Sequence, residues 1–357
     1  SKELSLPKVM LKTAFELFDS YTDMNALSKD FDVLMPIGEE IWLQRNVLKS
    51  TNICQLVKVL LSYSNTIIMK GQYSRSREMF DEIYGLSKLC DERNVAEITF
   101  LRRMYFLYND ADYEKMNDLY EEEKQFVSKM SELRQARLQL NIADSYQRRE
   151  MFEKSENYFK SIISICDKNK DVNNFEKIRL RCLERLGFQK TEYDKENAYE
   201  YYAKALSVAE KLKLTDQIAV LNSRLAWTAK QNYNYDVTLK HLEKASSAIK
   251  RSKITFPRSI ISNTYGAYYF ATDDYWKSLL NYHKSYSECL KYDQDFVTPV
   301  GNKGNMFLQL GYYKQAIKFC EIALNVLRKK KKHYFSDLLL TTMAESYAAL
   351  GEYKKSE

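Results

Sequence analysis

The chain has 357 residues, too many for one ordinary core and suited to several domains or to one extended repeat array. A hydrophobic share of 45% with 13% aromatics excludes a disordered chain, and 9 glycines with 4 prolines are too few to turn the strands of a sandwich or barrel. The net charge of +7, from 55 basic and 48 acidic residues, permits an acidic partner without demanding nucleic acid.

The first predicted elements are two helical stretches, LPKVMLKTAFELFDSYTDMNAL and EEIWLQRNVLKS, which Pro36 and Gly38 are expected to break apart. Residues 1–55 are read as an N-terminal helical cap, with a degenerate first repeat and a small separate bundle as the open alternatives. The cap is favoured because a terminal repeat needs an altered outer face. No helix-turn-helix DNA reader is visible there.

From residue 56 onward a short tag recurs, built of a turn, an aromatic, charged residues and a small residue. Its aromatic falls at Tyr73, Tyr113, Phe152, Tyr235, Tyr275, Tyr313 and Tyr353. The steps are 40, 39, 83, 40, 38 and 40, and Tyr193 divides the long one into 41 and 42. This fourth repeat is irregular, with Gly187 closer to its tyrosine than the small residue of other repeats. Elsewhere a small residue stands nine positions before the aromatic: Ser64, Ala143, Ala226, Gly266, Gly304 and Ala344. Another stands three positions after it (Ser76, Ser155, Thr238, Ser278, Ala316, Ser356), followed four further on by Phe80, Phe159, Leu242, Tyr282 and Cys320. Such spacings lie on one helical face and predict paired helices in close approach. Pro257 and Pro299 fall at predicted helix starts.

The best-formed stretches, GNMFLQLGYYKQAIKFCEIAL (304–324) and AESYAALGEYKKS (344–356), resemble tetratricopeptide repeats (TPRs), with Leu-Gly then Tyr in one helix and Ala then Phe in the next. The step near 40 exceeds the usual repeat of about 34 residues. In this it is similar to the longer-looped kinesin light chains, LGN-type adaptors and Rap-like peptide receptors. The resemblance covers about eight repeats over residues 56–357, the last truncated. It implies an all-α, right-handed superhelical solenoid of antiparallel helix pairs, and says little about the partner.

Little in the sequence points to chemistry. No GxSxG, P-loop, HExxH or GxGxxG occurs, so an enzyme is not expected. Cys54, Cys90, Cys166, Cys182, Cys289 and Cys320 are scattered without CxxC spacing, and there are three histidines, His241, His283 and His333. A zinc site is not expected, nor any other metal or cofactor, and the thiols read as reduced in a cytoplasmic protein. No apolar run approaches a membrane span, and no signal peptide is visible at the start. The basic stretch Arg328–His333 offers a phosphate contact or an import signal, but lies where a helix C-terminus favours cations. The chain ends inside an expected helix, so further sequence is expected beyond it.

The resemblance implies that the first helix of each repeat lines a concave face. By that rule Asn65, Tyr105, Asp144, Trp227, Ala267, Asn305 and Glu345 lie along one side. Leu61, Leu101, Leu140, Ser223, Asn263, Gly301 and Thr341 lie one turn earlier, and Arg102, Asn141, Arg224 and Asn302 complete the face. Asparagine carries both a donor and an acceptor, so Asn65, Asn141, Asn263, Asn302 and Asn305 suit a ladder against a peptide backbone. The equal alternative is that they are merely solvated. Arg102 and Arg224 suit ligand carboxylates, and Tyr105 and Trp227 suit apolar anchors. The expected function is a protein- or peptide-binding scaffold. The alternatives are the sensory arm of a larger signalling protein and a nucleic-acid binder using the basic surface.

Overall fold

The computed structural model describes residues 6–23, 31–69, 72–169, 172–191, 193–250, 256–292, 295–329 and 335–355. No strand occurs among them. In chain order the helices are α1 (Leu6–Asp23), α2 (Phe31–Leu43), α3 (Arg45–Leu48), α4 (Ile53–Met69), α5 (Tyr73–Ser87), α6 (Arg93–Asn109), α7 (Tyr113–Glu122), α8 (Lys124–Val127), α9 (Glu132–Arg148) and α10 (Phe152–Lys168). There follow α11 (Asn173–Lys190), α12 (Lys195–Lys211), α13 (Thr215–Gln231), α14 (Tyr235–Lys250), α15 (Phe256–Ala271), α16 (Tyr275–Lys291), α17 (Val297–Gln309), α18 (Tyr313–Lys329) and α19 (Ser336–Ala349), then a short 3-10 turn, Tyr353–Lys355. The chain divides into two compact units, Ser1–Tyr158 and Phe159–Glu357, with the boundary inside α10.

The tag aromatic is the first residue of the second helix in every repeat except the fourth, where α12 begins at Lys195. Within the first unit α4 packs on α5 and α6 on α7, and within the second unit α11 packs on α12, α13 on α14, α15 on α16 and α17 on α18. First helices also touch along the row, α4 on α6 and α6 on α9 in one unit, α13 on α15 and α17 on α19 in the other.

The predicted small positions are the seam of each pair. Ser64, Ser76, Ala143, Ser155, Ala226, Thr238 and Ala316 have no exposed surface. Ser278 Oγ donates to the Gly266 carbonyl at 2.8 Å and Ser76 Oγ to the Ser64 carbonyl at 3.2 Å, so the paired backbones lie within one side chain of each other. A Cβ on Gly266 would meet the Tyr282 ring at 2.6 Å, and one on Gly304 would meet Cys320 Sγ at 2.7 Å. The second repeat departs from this: buried Met104 and Met116 occupy its two small positions, and its second helix breaks at Glu123 into α7 and α8.

Two residues before the aromatic the backbone turns left-handed, at Ala111, Glu150, Tyr233, Asp273, Gly311 and Gly351. Only the last two are glycine, which adopts this conformation without a Cβ penalty. At the fourth repeat's turn Thr191 is right-handed with φ −55°. The connection there, 191–194, has four residues where the other tag turns have three, yet the seam spacing is shorter. Gly187 precedes Ala198 by 11 positions where the other small pairs are 12 apart, and Gly187 packs its backbone on the Tyr202 ring.

Two readings of the N-terminal region are corrected. Pro36 and Gly38 do not separate helices but lie inside α2. Tertiary packing overrides their helix-breaking tendency: Gly38 sits where a Cβ would strike the Tyr63 ring, and Tyr63 donates to Glu39 Oε2 at 2.5 Å. The six thiols are not all free either. Cys54 and Cys90 form a disulfide, while Cys166, Cys182, Cys289 and Cys320 are free and buried. The 36-residue separation is one hairpin, which returns the chain from the start of α4 to the end of α5. Pro257 and Pro299 lie in the first turns of α15 and α17, as expected. Lys330 to His333 lie outside the described residues, as does Ser356, while Arg328 and Lys329 end α18.

In the second unit a buried polar chain joins three helices. Tyr199 on α12 faces His241 Nε2 at 3.0 Å, and His241 Nδ1 on α14 faces Asn222 Oδ1 on α13 at 2.9 Å. Burial, with Lys244 and Lys240 adding repulsion, pushes the imidazole down to about 4.

Three outcomes test this account. Gly304→Leu should lower unfolding stability by about 1–3 kcal/mol through overpacking, read in urea melts. A Cβ at Gly311 meets nothing within 4 Å, so Gly311→Ala isolates the left-handed strain. It should cost about 1 kcal/mol, while Tyr233→Gly should gain up to about 1 kcal/mol. His241 is neutral when folded, so its contribution is fully present above pH 6.5 and is lost as pH falls through about 4. The stability difference between the parent chain and His241→Gln should shrink over that window, by about 1–2 kcal/mol after discounting for the half-exposed ring.

Candidate functional site

The face left open by both packings of the first helices carries the predicted residues, though not all of them reach solvent. In the first unit the Arg102 guanidinium, on α6, donates to Asn65 Oδ1 on α4. Burial pulls the Arg102 pKa below its usual value. Beside this pair a cavity of about 340 Å³ is lined by Phe15, Lys58, Leu61, Ile98 and Arg102. Tyr105 projects with 59% of its surface exposed, and Asn141 on α9 is half-buried. Asp144 is corrected: it is 1% exposed and accepts from Tyr108 OH at 3.3 Å, so it supports Tyr108 instead of lining the face. Leu61 and Leu140 are likewise buried in helix contacts.

In the second unit Asn302 Nδ2, on α17, donates to Asn263 Oδ1 on α15 at 3.1 Å. The two predicted asparagines thus join successive repeats, with half-buried Asn305 one turn on. Trp227 on α13 is half-buried under the Lys230 ammonium, 4.7 Å from its ring centroid. Burial, with Lys195 nearby, pulls the Lys230 pKa down. Ser223, Ala267 and Gly301 are corrected, because first helices pack on one another there. Ser223 Oγ lies 3.1 Å from Thr264 Oγ1, Ala267 is 4% exposed, and Gly301 abuts Phe335 and Leu339.

A large open feature surrounds Arg224. A cavity of about 670 Å³ lies between α11 and α13. Its basic lining residues are Lys177, Arg181, Arg185 and Arg224, and its acidic ones are Glu184 and Asp216. Arg224 Nε stands 3.3 Å from Glu184 Oε1, with its guanidinium over the rings of Phe188 and Tyr202. Gln217 also lines the cavity, and its buried Oε1 accepts no hydrogen bond among the described residues. Four cations against two carboxylates, an amide oxygen without a donor, and the apolar walls of Leu180, Phe188 and Leu214 together suit an anionic group borne on a chain with N–H donors. The α11 residues were missed in the sequence. Their signal is a basic residue every fourth position, Lys177, Arg181 and Arg185, which puts three cations on one helical face.

No family model and no curated protein sequence matches the chain. Solved structures do. A Rap protein complexed with competence and sporulation factor superposes with a TM-score of 0.57 at 14% identity, covering 98% of this chain and 94% of that one. A tetratricopeptide repeat protein from Parabacteroides merdae gives 0.57 at 13% identity, covering 81% and 98%. The fold is that of the tetratricopeptide repeats. A STAND signal-transduction ATPase with a TPR sensor from Pyrococcus horikoshii gives 0.59 at 13% identity, covering 94% of this chain and 52% of that protein. Identity this low speaks to fold alone. Among the described residues, no helix is long and apolar enough to cross a membrane.

The site yields a local test. Asn302→Ala removes one amide donor from a half-buried surface pair and should change the melting temperature little, by less than about 0.5 kcal/mol in stability. Asp144→Ala, which strips a buried partner from Tyr108, should cost about 1–3 kcal/mol. Equal losses in thermal melts would contradict the distinction between the open face and its buried support.

Proposed function

We propose that the chain is a non-enzymatic, cytoplasmic binding scaffold that docks an extended, carboxylate-bearing segment of another polypeptide along the first helices of its second unit. One observation carries this reading: among the described residues the α11–α13 cavity is lined by four basic and two acidic side chains and by a buried amide oxygen with no donor. A carboxylate side chain meets the first requirement and a peptide N–H meets the second. The pairing of Asn302 with Asn263 supports a backbone-reading role for the neighbouring repeats. The Rap neighbour was solved with a bound factor, which supports a ligand on this fold. A sensory arm of a larger signalling protein is the second reading, favoured by the STAND neighbour, whose repeats are described as a sensor.

The test is capture of partners on the immobilised chain, followed by calorimetry with the captured segment. Arg224→Ala and Arg181→Ala should each weaken binding about tenfold or more, since a charged hydrogen bond contributes roughly 1.5–3 kcal/mol. Replacing the segment's Asp and Glu by Asn and Gln should weaken it comparably. Unchanged affinity in both arginine variants would overturn the placement. A steep loss of affinity with salt for RNA, with no peptide captured, would favour the nucleic-acid alternative.

A further inference from the structure

The Cys54–Cys90 pair stands outside the proposed binding role. Cys54 is the second residue of α4 and 4% exposed, whereas Cys90 lies in the connection from α5 to α6 and is partly exposed. Cys90 lines an open cavity of about 330 Å³, together with Tyr84, Lys88, Arg93 and Phe126, and Cys54 does not. One sulfur of the bond is therefore reachable by a small thiol and the other is shielded. The four remaining cysteines are at most 3% exposed, so reactivity is confined to this pair.

The surroundings provide for both oxidation states. Asp91 Oδ1 lies 3.1 Å from Cys54 Sγ, so a Cys54 thiol has an acceptor waiting when the bond is open. The gap bridged by the disulfide is bridged a second time, one turn along α4, by Lys58 Nζ and Glu92 Oε2 at 2.7 Å. The apolar cluster of Leu56, Leu60, Met79, Phe80 and Ile83 holds α4 to α5 independently. Opening the bond therefore removes a restraint without removing the hairpin.

We propose that Cys54 and Cys90 form a reversible thiol–disulfide site, operated by small dithiols and disulfides at the Cys90 sulfur, whose oxidised state clamps the start of α4 to the entry of α6. In reduction, a thiolate of the dithiol attacks Cys90 Sγ and forms a mixed disulfide. The Cys54–Cys90 bond breaks, and Cys54 leaves as a thiolate that takes a proton from solvent. The dithiol's second thiolate attacks its own sulfur in the mixed disulfide. This closes a cyclic disulfide and releases Cys90 as a thiolate. The protein gains two electrons, and the dithiol loses two. Reoxidation by glutathione disulfide reverses the balance and yields two glutathione thiols. The clamp acts on the two helices that flank the cavity beside Arg102, so its state sets how firmly that wall is held.

Thiol counting on the full chain tests the chemistry. After treatment with glutathione disulfide, denaturation and alkylation without reductant should label four of the six cysteines, and alkylation after dithiothreitol should label all six. On the native, dithiothreitol-reduced protein, iodoacetamide should label Cys90 at least tenfold faster than Cys54. Hydrogen exchange tests the clamp: amides of residues 53–58 and 91–96 should exchange about tenfold faster after reduction, in line with a loss of local protection. Cys54→Ser and Cys90→Ser should each reproduce the fast pattern and ignore the reductant. Six labels after glutathione disulfide treatment would overturn the proposal. So would unchanged exchange on reduction, or a chelator-removable zinc ion that protects both thiols.

Discussion

The whole arrangement depends on how closely the two helices of a repeat approach. At Ser64 and Ser76, or at Gly266 and Ser278, the distance between helices is set by a hydroxyl bonded directly to the facing backbone carbonyl. No larger side chain fits without displacing the Tyr282 ring or the Cys320 sulfur. A tight hairpin requires a short turn, and the short turn draws one residue into the left-handed region. Packing and turn are thus one constraint met twice. Where the small positions are lost, as with Met104 and Met116 in the second repeat, the turn is kept at Ala111 and the second helix breaks at Glu123.

Once the hairpin closes, a first helix has one face committed to its own partner, and α4, α6, α13 and α17 commit another to the next first helix. What remains is a narrow strip, and its chemistry differs between the units. In the first unit Arg102 donates to Asn65 and Tyr108 to Asp144. In the second unit the asparagines bond across a repeat step, while the α11–α13 cavity is left with more cations than carboxylates and with the Gln217 oxygen unmet. A buried polar atom without a partner costs free energy in the empty state, so a ligand that supplies the donor recovers it.

The tag aromatics, the small seam and the starts of second helices were legible because each is a local rule. A left-handed turn, a close approach and a helical face recur at fixed offsets, and Tyr73, Tyr113, Phe152, Tyr235, Tyr275 and Tyr313 all open helices. What escaped is what depends on neighbours distant in sequence. Pro36 and Gly38 read as breakers until Tyr63 is placed against them. Asp144, Ser223 and Gly301 read as open-face residues until the adjoining helices cover them. Cys54 and Cys90 lack any motif, and only the closing of the first hairpin brings them together.

The α11 residues escaped for a different reason. Counting back nine from Tyr193 lands on Glu184, yet the residue that packs against the second helix is Gly187, six before it. The longer connection around Thr191 decouples the aromatic from the seam, leaving Tyr193 two residues short of the helix. Register along a repeat is therefore carried by the packing residue and not by the aromatic. Three and two residues before the small residue and one after it lie the partly open Asn263, Asn302 and Trp227, while Leu140, Ser223, Asp144 and Ala267 at the same offsets are buried. Applied to Gly187, the same offsets give Glu184, Arg185 and Phe188, all three of which line the cavity with Arg224. In the irregular repeat all three offsets thus reach the cavity. Its exceptional charge comes from Arg185 at these offsets together with Arg181 and Lys177 one and two turns earlier on the same helix.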